Sequence, residues 1–288
     1  MTIDLGAVRA IDVHTHAQVP LHGEPDARTM QILDAAAKHF RSDFPRPNAQ
    51  QVADYYRARS VAAVIFCVDS QHNTGEVPVS NDEILEVAAA NSDVLIPFVS
   101  VDPHRSNAVE QARRLIAKGA RGFKFHPNLQ GFFPNDRLAY SLYEVIAEAR
   151  LPAVFHTGHS GIGSGLPGGA GIRLKYSNPI CVDDVAVDFP AMPIILAHPS
   201  FPWQEEALSV AMHKAQVYVD LSGWAPKRFP PILVQYVNGP LRGKALFGSD
   251  YPMLTPERWL AEFAELPIRD EVRPLVLKQN AVGLLGLR

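Results

Sequence analysis

Short apolar runs rich in valine, isoleucine and alanine alternate with longer amphipathic segments along the whole chain. Four to eight consecutive apolar residues bounded by turn residues are typical of a strand that is covered on both faces. The pattern predicts eight strands, at 10–16, 61–69, 95–102, 122–126, 152–157, 193–198, 217–222 and 245–250. It predicts nine helices between and after them, at 49–59, 81–91, 107–118, 137–150, 179–188, 203–214, 229–238, 256–265 and 271–285.

Eight strands that are each followed by a helix predict an α/β fold, a (β/α)8 TIM barrel in a single domain over residues 1–288. A doubly wound open sheet is the alternative for the same alternation. That fold normally places a glycine-rich phosphate-binding turn after its first strand, whereas the first strand here ends in His14-Thr15-His16. The length of 288 residues fits one barrel with long loops, because such barrels commonly reach about 250 residues.

Composition and charge argue against nucleic acid and membranes as partners, so we expect a small-molecule substrate. Lysine and arginine number 27 against 30 aspartate and glutamate residues, and no basic stripe follows the chain, so we expect no nucleic-acid partner. The apolar runs are too short to cross a bilayer, so no membrane partner is expected. The first 20 residues carry charges and two histidines where a signal peptide would be apolar, which predicts a cytoplasmic protein. Two cysteines, Cys67 and Cys181, do not make a disulfide framework.

Polar side chains end four of the predicted strands. His14 and His16 end the first, His156 the fifth, His198 the sixth and Asp250 the eighth. In a barrel these ends meet at one mouth, and residues two apart on a strand point to the same side. A lone buried histidine is more often a hydrogen-bonded core residue, but five polar side chains in register favour a site. Imidazole and carboxylate donors suit zinc or a similar divalent ion.

Four motifs carry a resemblance to a known family. They are Ile11-Asp12-Val13-His14-Thr15-His16, Phe155-His156-Thr157-Gly158, Leu196-Ala197-His198-Pro199 and Leu246-Phe247-Gly248-Ser249-Asp250-Tyr251-Pro252. With them the chain resembles the amidohydrolase superfamily, and more narrowly the amidohydrolase-2 group that includes aminocarboxymuconate-semialdehyde decarboxylase and resorcylate-type decarboxylases. The segments 168–179, 198–203 and 220–224 resemble a hydrolase-like subset tied to aromatic acid catabolism, in which thioester hydrolysis is one suggested activity.

The resemblance implies a metal-dependent TIM barrel and a set of roles for its residues. One divalent ion, with zinc first and manganese or iron as alternatives, would be held by His14, His16, His156 and Asp250. His198 would be the adjacent catalytic acid or base, and Asp250 could serve both as ligand and as proton acceptor. The resemblance also suggests a homodimer.

Lys124, at the end of the fourth strand, has three interpretations. It could carry a carbamate that bridges two metals, bind a substrate carboxylate, or form a structural ion pair. The motif set of a single-metal site and the suitability of an ammonium group for carboxylates favour the second interpretation. His126 lies two residues further along the same strand, so we predict Lys124 and His126 as substrate-binding residues and not as metal ligands.

Four more residues are candidates for substrate binding. Arg173 and Lys175 end a glycine-rich loop after His156 and could bind a carboxylate, or could simply be a solvated loop edge. Trp203 and Trp224 follow the sixth and seventh strands and could form an aromatic wall, or could pack helices against the barrel.

Three hypotheses of function follow. The first is hydrolysis, in which a metal-activated water attacks an ester, lactone, thioester or C–C carbonyl of a small, aromatic-derived carboxylated substrate. The alternative is non-oxidative decarboxylation of an aromatic or enol carboxylic acid, in which an acid protonates the carbon that loses CO₂. The third, a barrel retained only for binding, is disfavoured because every ligand position of the resembled site is filled.

Overall fold

The computed structural model describes residues 2–41 and 43–287, and these form a (β/α)8 barrel. Eight parallel strands carry the site. They are β1 Ala10–His16, β2 Val61–Phe66, β3 Leu95–Pro97, β4 Phe123–Phe125, β5 Ala153–His156, β6 Ile194–Ala197, β7 Val217–Asp220 and β8 Ala245–Leu246. Each of the eight predicted strands is confirmed, but most are shorter than predicted. The apolar residues continue past the last ladder hydrogen bond, so hydrophobicity alone overestimates where a strand ends.

Helices surround the strands. They are α1 Ala27–Phe40, α2 Ala49–Arg57, α3 Gln71–Thr74, α4 Asn81–Ala90, α5 Ala108–Ala117, α6 Pro127–Gln130, α7 Arg137–Glu148, α8 Ile180–Asp188, α9 Gln204–His213, α10 Pro231–Asn238, α11 Pro256–Ala264 and α12 Asn280–Leu285. The nine predicted helices are confirmed within a few residues, and the last, which begins at Arg273, contains a π turn at Leu275–Gln279. The sequence analysis missed α1 and the single turns α3 and α6. No helix among the described residues has the length and apolar character needed to span a membrane.

Side-chain caps explain where several helices begin. Asn48 and Gln51 form a reciprocal capping box at α2, in which each side chain accepts from the backbone N–H of the other. The Ser80 hydroxyl accepts from the Glu83 N–H at α4, and the Thr255 hydroxyl from the next turn of α11. These bonds satisfy backbone N–H groups that have no partner inside the helix.

Backbone hydrogen bonds join two groups of strands into one closed barrel. The strands pair in the orders β1-β2-β3 and β4-β5-β6-β7-β8. The two groups meet where the Lys124 N–H donates to the Val99 carbonyl at 2.7 Å. They close where the His16 N–H donates to the Tyr251 carbonyl at 2.9 Å and the Asp250 N–H to the His14 carbonyl at 3.0 Å. Closure therefore brings the first and last strands, and the candidate residues on them, side by side.

Two apolar layers fill the fold on either side of the strands. Ile11, Val13, Phe66 and Phe98 belong to the buried cluster inside the barrel. A larger cluster lies between strands and helices, with Trp259 among its largest side chains. Residues at successive positions of a strand enter opposite layers, as expected of strands buried on both faces.

Gly122 is required by this packing. It lies at the start of β4 with its α-carbon against the ring of Phe98, and a Cβ atom there would overlap that ring. Phe98 is fully buried in the barrel interior, so the ring has no free space to move into. We expect Gly122→Ala to lower the free energy of unfolding by about 1–3 kcal/mol, as overpacking commonly does.

Gly243→Ala is the matched control, because no atom lies within 4 Å of a Cβ built at that position. Urea unfolding of the two variants measures the difference. Equal stabilities for the two variants would contradict this account of Gly122.

Candidate metal centre and catalytic residues

A β-bulge in β1 directs His14 and His16 to the mouth of the barrel. The register against β2 shifts between Asp12 and Thr15, so that β1 has one residue more than its neighbour. Before the shift, Asp12 points away from the barrel interior and accepts hydrogen bonds from the Tyr56 hydroxyl at 2.7 Å and the Ser249 hydroxyl at 2.6 Å. After it, the two imidazoles lie 5.2 Å apart between ring centres, beside the end of β8.

Three of the predicted ligands come together. The donor atoms of His14, His16 and Asp250 lie within 4.8 Å of one another. Asp250 Oδ1 is 3.1 Å from His16 Nε2 and 3.5 Å from His14 Nε2. His14 is buried, whereas about a fifth of the other two side chains is exposed, at 20% for His16 and 19% for Asp250. The group therefore opens towards solvent on one side.

Asp250 and His198 hold an unusual backbone conformation. Their φ angles are +69° and +71°, in the left-handed region that non-glycine residues rarely adopt. Such strain persists only where surrounding contacts enforce it, and it concentrates at functional sites. Here it turns both side chains into the mouth directly after their strands end.

Hydrogen bonds define which nitrogen of His198 carries the proton. The Ser222 carbonyl, 3.1 Å from His198 Nδ1, can only accept, so Nδ1 is the donor. The Ser222 hydroxyl donates to Asp220 Oδ2 at 2.8 Å and can therefore accept from the same Nδ1 at 3.0 Å. His198 Nε2 is then unprotonated in the neutral ring, and it accepts a hydrogen bond from His156 Nδ1 at 3.0 Å.

His156, the fourth predicted ligand, lies beside the three donors and not among them. Its Nδ1 donates to His198, which leaves Nε2 as a free lone pair. That atom is buried and has no hydrogen-bond partner among the described residues. The ring is stacked on His126, with centres 3.9 Å apart. His126, predicted as a substrate-binding residue, is thus in direct contact with the site, and ligation by His156 stays a prediction.

Asp220 is a member of the site that the sequence analysis did not predict. Its Oδ2 lies 2.6 Å from His14 Nδ1, and both side chains are buried. This bond holds the His14 ring with Nε2 turned to Asp250. The sequence does contain a pattern that indicates Asp220, because this residue ends the apolar strand β7 just as His156 ends β5. A rule that took every polar strand end would have found it.

Burial controls the charges of the site. It lowers the pKa of His14, with the Lys124 ammonium as the next cause, and it lowers the pKa of His198 to about 4. Burial also raises the pKa of Asp220, against the hydrogen bonds from Ser222 that favour its ionised form. For Asp250, burial raises the pKa, but the bond from His16 and nearby positive charges have the larger opposite effect. The pKa of Asp250 is therefore below its usual value. The histidines with shifted values are therefore neutral near pH 7, the form in which imidazole binds metals.

Lys124 lies at the centre of the site. Its side chain is fully buried, its Nζ is 3.3 Å from His14 Nε2, and the ammonium lies 5.1 Å from the centre of the Phe66 ring. Burial lowers the pKa of Lys124, while the charges of Asp250 and Asp220 raise it. Among the described residues it forms no ion pair with a carboxylate, so the structural ion pair considered for Lys124 is wrong.

Comparison with known proteins identifies the family. A family model described as amidohydrolase (Amidohydro_2) matches residues 11–287. The chain belongs to the amidohydrolase family. No curated protein sequence matches it.

Solved structures share the fold of this amidohydrolase. An uncharacterised TIM-barrel protein from Bordetella bronchiseptica is 24% identical, with a TM-score of 0.79 over 96% of this chain and 98% of that one. The 5-carboxyvanillate decarboxylase LigW from Sphingomonas paucimobilis is 13% identical, with a TM-score of 0.69 over 98% and 100%. A dihydroxybenzoic acid decarboxylase from Polaromonas, with bound manganese and 2-nitroresorcinol, is 14% identical, with a TM-score of 0.64 over 100% and 98%.

The donor set of this amidohydrolase fits a divalent ion. Two imidazoles and an ionised carboxylate converge, and the carboxylate of Asp220 fixes the ring of His14 from behind. The unpartnered Nε2 of His156 is a further lone pair close by. His14, His16 and Asp250 would hold the ion, and the same nitrogen and oxygen donors accept zinc, manganese and iron.

The peripheral candidates lie further out. Arg173 and Lys175 are exposed, and the Lys175 ammonium lies over the rings of Phe133 and Tyr176 instead of turning to the metal donors. Trp224 packs on Phe201 with ring centres 5.7 Å apart, next to Gly223, whose α-carbon touches His198. Trp203 is half-buried at the start of α9. Substrate binding by these four residues stays a prediction.

The bond between Asp220 and His14 gives a test of the metal centre. Replacing Asp220 with Asn removes the charged acceptor that orients the His14 ring, and such changes typically weaken metal binding about 10- to 100-fold. We expect this loss in Asp220→Asn, measured by titrating the metal-free protein with Mn²⁺ or Zn²⁺ in a calorimeter.

Asp102→Asn is the control, because Asp102 is also buried and contacts a histidine, His104, at 2.9 Å, outside this site. Its metal affinity should equal that of the unchanged protein. Undiminished metal binding by Asp220→Asn would contradict the role given to Asp220.

Proposed function

We propose that this amidohydrolase is a metal-dependent decarboxylase of an aromatic carboxylic acid. The observation that carries the proposal is a buried ammonium, Lys124, next to the metal donors and without a carboxylate partner in the described protein. A cation left unpaired in a buried site is suited to bind an anion that comes from outside. Similar structures include decarboxylases of carboxyvanillate and dihydroxybenzoate, which supports this hypothesis over the hydrolysis placed first in the sequence analysis.

In the proposed decarboxylation the metal ion and Lys124 have different roles. A bound divalent ion would orient the substrate and draw electron density from it. Lys124 would bind the carboxylate or a neighbouring oxygen. The bond between the ring carbon and the carboxylate breaks, its electron pair stays on carbon, CO₂ leaves and a proton takes its place.

The proton is best assigned to His198. Its Nε2 is unprotonated in the free protein and accepts from His156 Nδ1. A substrate hydroxyl that replaces the His156 N–H as the partner of this atom can give it a proton, which His198 returns to the ring carbon. Asp250 is the other predicted catalytic residue, but its lowered pKa and its contacts with His14 and His16 suit an ionised ligand. Proton transfer by Asp250 stays a prediction.

Isotope labelling separates decarboxylation from hydrolysis. We expect the manganese- or zinc-loaded protein to release CO₂ from 5-carboxyvanillate, 2,6-dihydroxybenzoate or a related hydroxybenzoate. In D₂O one deuterium should appear on the carbon that lost the carboxylate. The chelator-treated protein should be inactive, and added metal should restore it. Entry of ¹⁸O from H₂¹⁸O into a carboxylate product without CO₂ would instead support hydrolysis.

A second prediction tests Lys124 directly. Lys124→Met removes the cation but keeps a chain of similar length, so kcat/KM should fall by about two orders of magnitude or more, as for the loss of one partner of a buried charge pair. Metal affinity should stay equal or rise, because a positive charge beside His14 is removed.

Lys118→Met is the control, since Lys118 is exposed and pairs with Asp82 on the outside of the barrel. Retained kcat/KM in Lys124→Met would argue against the proposed carboxylate site. The cytoplasmic location, the small-molecule partner and the homodimer predicted from the sequence stay predictions.

A further inference from the structure

Helix α6 contains a buried side chain that the chemistry described so far does not use. Asn128 is fully buried, and neither its amide nitrogen nor its carbonyl oxygen has a hydrogen-bond partner among the described residues. A buried polar group normally finds a partner, because leaving one unpaired costs free energy. An asparagine with both groups unpaired is therefore a feature to explain.

The position of Asn128 points to the substrate. It follows His126 by two residues, on the turn that comes directly after β4. The Asn128 side chain reaches the His126 ring, but the two side chains form no hydrogen bond of good geometry. His126 is stacked on His156, which donates to His198. One ring thus separates Asn128 from the histidines of the catalytic site.

A second unpaired group lies on the neighbouring segment. Ser177 ends the 3₁₀ turn Leu174–Ser177, which packs against α6. Its hydroxyl is buried and has no partner in the described part of the chain, while its carbonyl accepts from the Gly158 N–H at 2.8 Å, two residues past His156. Unpaired atoms of His126 and His156 complete the set. Four residues near the ends of β4 and β5 therefore have buried polar atoms without a hydrogen-bond partner in the described protein. They are His126, Asn128, His156 and Ser177.

We propose that Asn128 is a specificity-determining residue that recognises a hydroxylated aromatic acid. A carboxamide offers one donor and one acceptor side by side. Its complement is a ligand with an acceptor next to a donor, such as a carboxylate beside a phenolic hydroxyl. The inference rests on the proposed function for the hydroxylated aromatic acid, and it adds Asn128 as the residue that selects a hydroxyl beside the carboxylate.

Stability of the metal-free protein separates recognition from a structural role. Asn128→Leu keeps the branching and the number of side-chain atoms but removes both polar groups. Because no hydrogen bond of good geometry within the described protein is lost, its Tm should be unchanged or higher. Asn91→Leu is the matched control. Asn91 is also buried, but its amide donates to Gln50 and Val87 at 2.9 Å and its oxygen accepts from Arg57 at 2.7 Å, so the Tm should fall by several degrees.

Binding to the manganese-loaded protein tests recognition without requiring turnover. The probes are 2-hydroxybenzoate and benzoate, and calorimetry gives their Kd values. We expect the unchanged protein to bind 2-hydroxybenzoate more tightly. Asn128→Leu should raise the Kd of 2-hydroxybenzoate about 10- to 100-fold and change that of benzoate by less than about threefold, so that the preference disappears. Asn128→Asp adds a negative charge and should therefore raise the Kd values of both anionic probes. This variant is the second test of the inference if Asn128→Leu does not fold.

The outcomes are distinct. A preference for 2-hydroxybenzoate that depends on Asn128 would support the inference even if no CO₂ were released, in which case only the proposed reaction would fail. A Tm loss in Asn128→Leu like that of Asn91→Leu would show a structural role and overturn it. An unchanged preference in both Asn128 variants, or no binding of either probe to the unchanged protein, would overturn it as well.

Discussion

The carboxylate of Asp12 holds the first strand of the barrel against the last. It accepts from the Tyr56 hydroxyl, from the hydroxyl and N–H of Ser249 and from the N–H of His14, and it is fully buried. Burial raises its pKa to about 6, while these four hydrogen bonds lower it. His14 and Asp250 are 236 positions apart in the chain, and they meet because Asp12 ties the start of one strand to the loop that follows the other. The metal centre depends on this closure more than on any contact between its own ligands.

A second buried carboxylate, that of Asp220, positions the histidine rings in the same way. Asp220 accepts from His14 and from Ser222, and Ser222 accepts from His198, so one chain of hydrogen bonds orients a metal ligand and the candidate proton carrier together. The left-handed backbone at His198 and Asp250 costs on the order of 1–3 kcal/mol each. Contacts such as the Asp250 N–H to the His14 carbonyl offset that cost. Rigid support of this kind is what positions donors accurately before a metal or substrate arrives.

The sequence predicted the barrel well because alternation of buried strands with helices is a local property of the pattern. It missed α1, Ala27–Phe40, although Met30, Leu33 and Ala37 follow a helical spacing, because this helix is an addition to the loop between β1 and α2 and lies outside the regular alternation of strand and helix. Within the site, strand ends predicted His14, His16, His198 and Asp250 near one another. Asp220 could have been found by the same strand-end rule, but the place of His156 beside the group and the lack of an ion pair at Lys124 depend on ring orientation and on the bulge in β1. Those are tertiary features, and no spacing rule contains them.

The charges of the site explain why a metal and an anionic substrate belong together there. Lys124 is a buried cation whose charge interacts with the carboxylates of Asp220 and Asp250, and the histidines around them with lowered pKa values are neutral. A divalent ion added to these three groups leaves one net positive charge. A monoanionic carboxylate then brings the sum to zero, which removes the cost of an unbalanced charge in a desolvated site. Transfer of the hydroxyl proton to the ring carbon leaves a phenolate when CO₂ departs, and a proton from solvent then gives a neutral phenol. At that step the charge balance that favours substrate binding is lost, and the same charges favour release of the product.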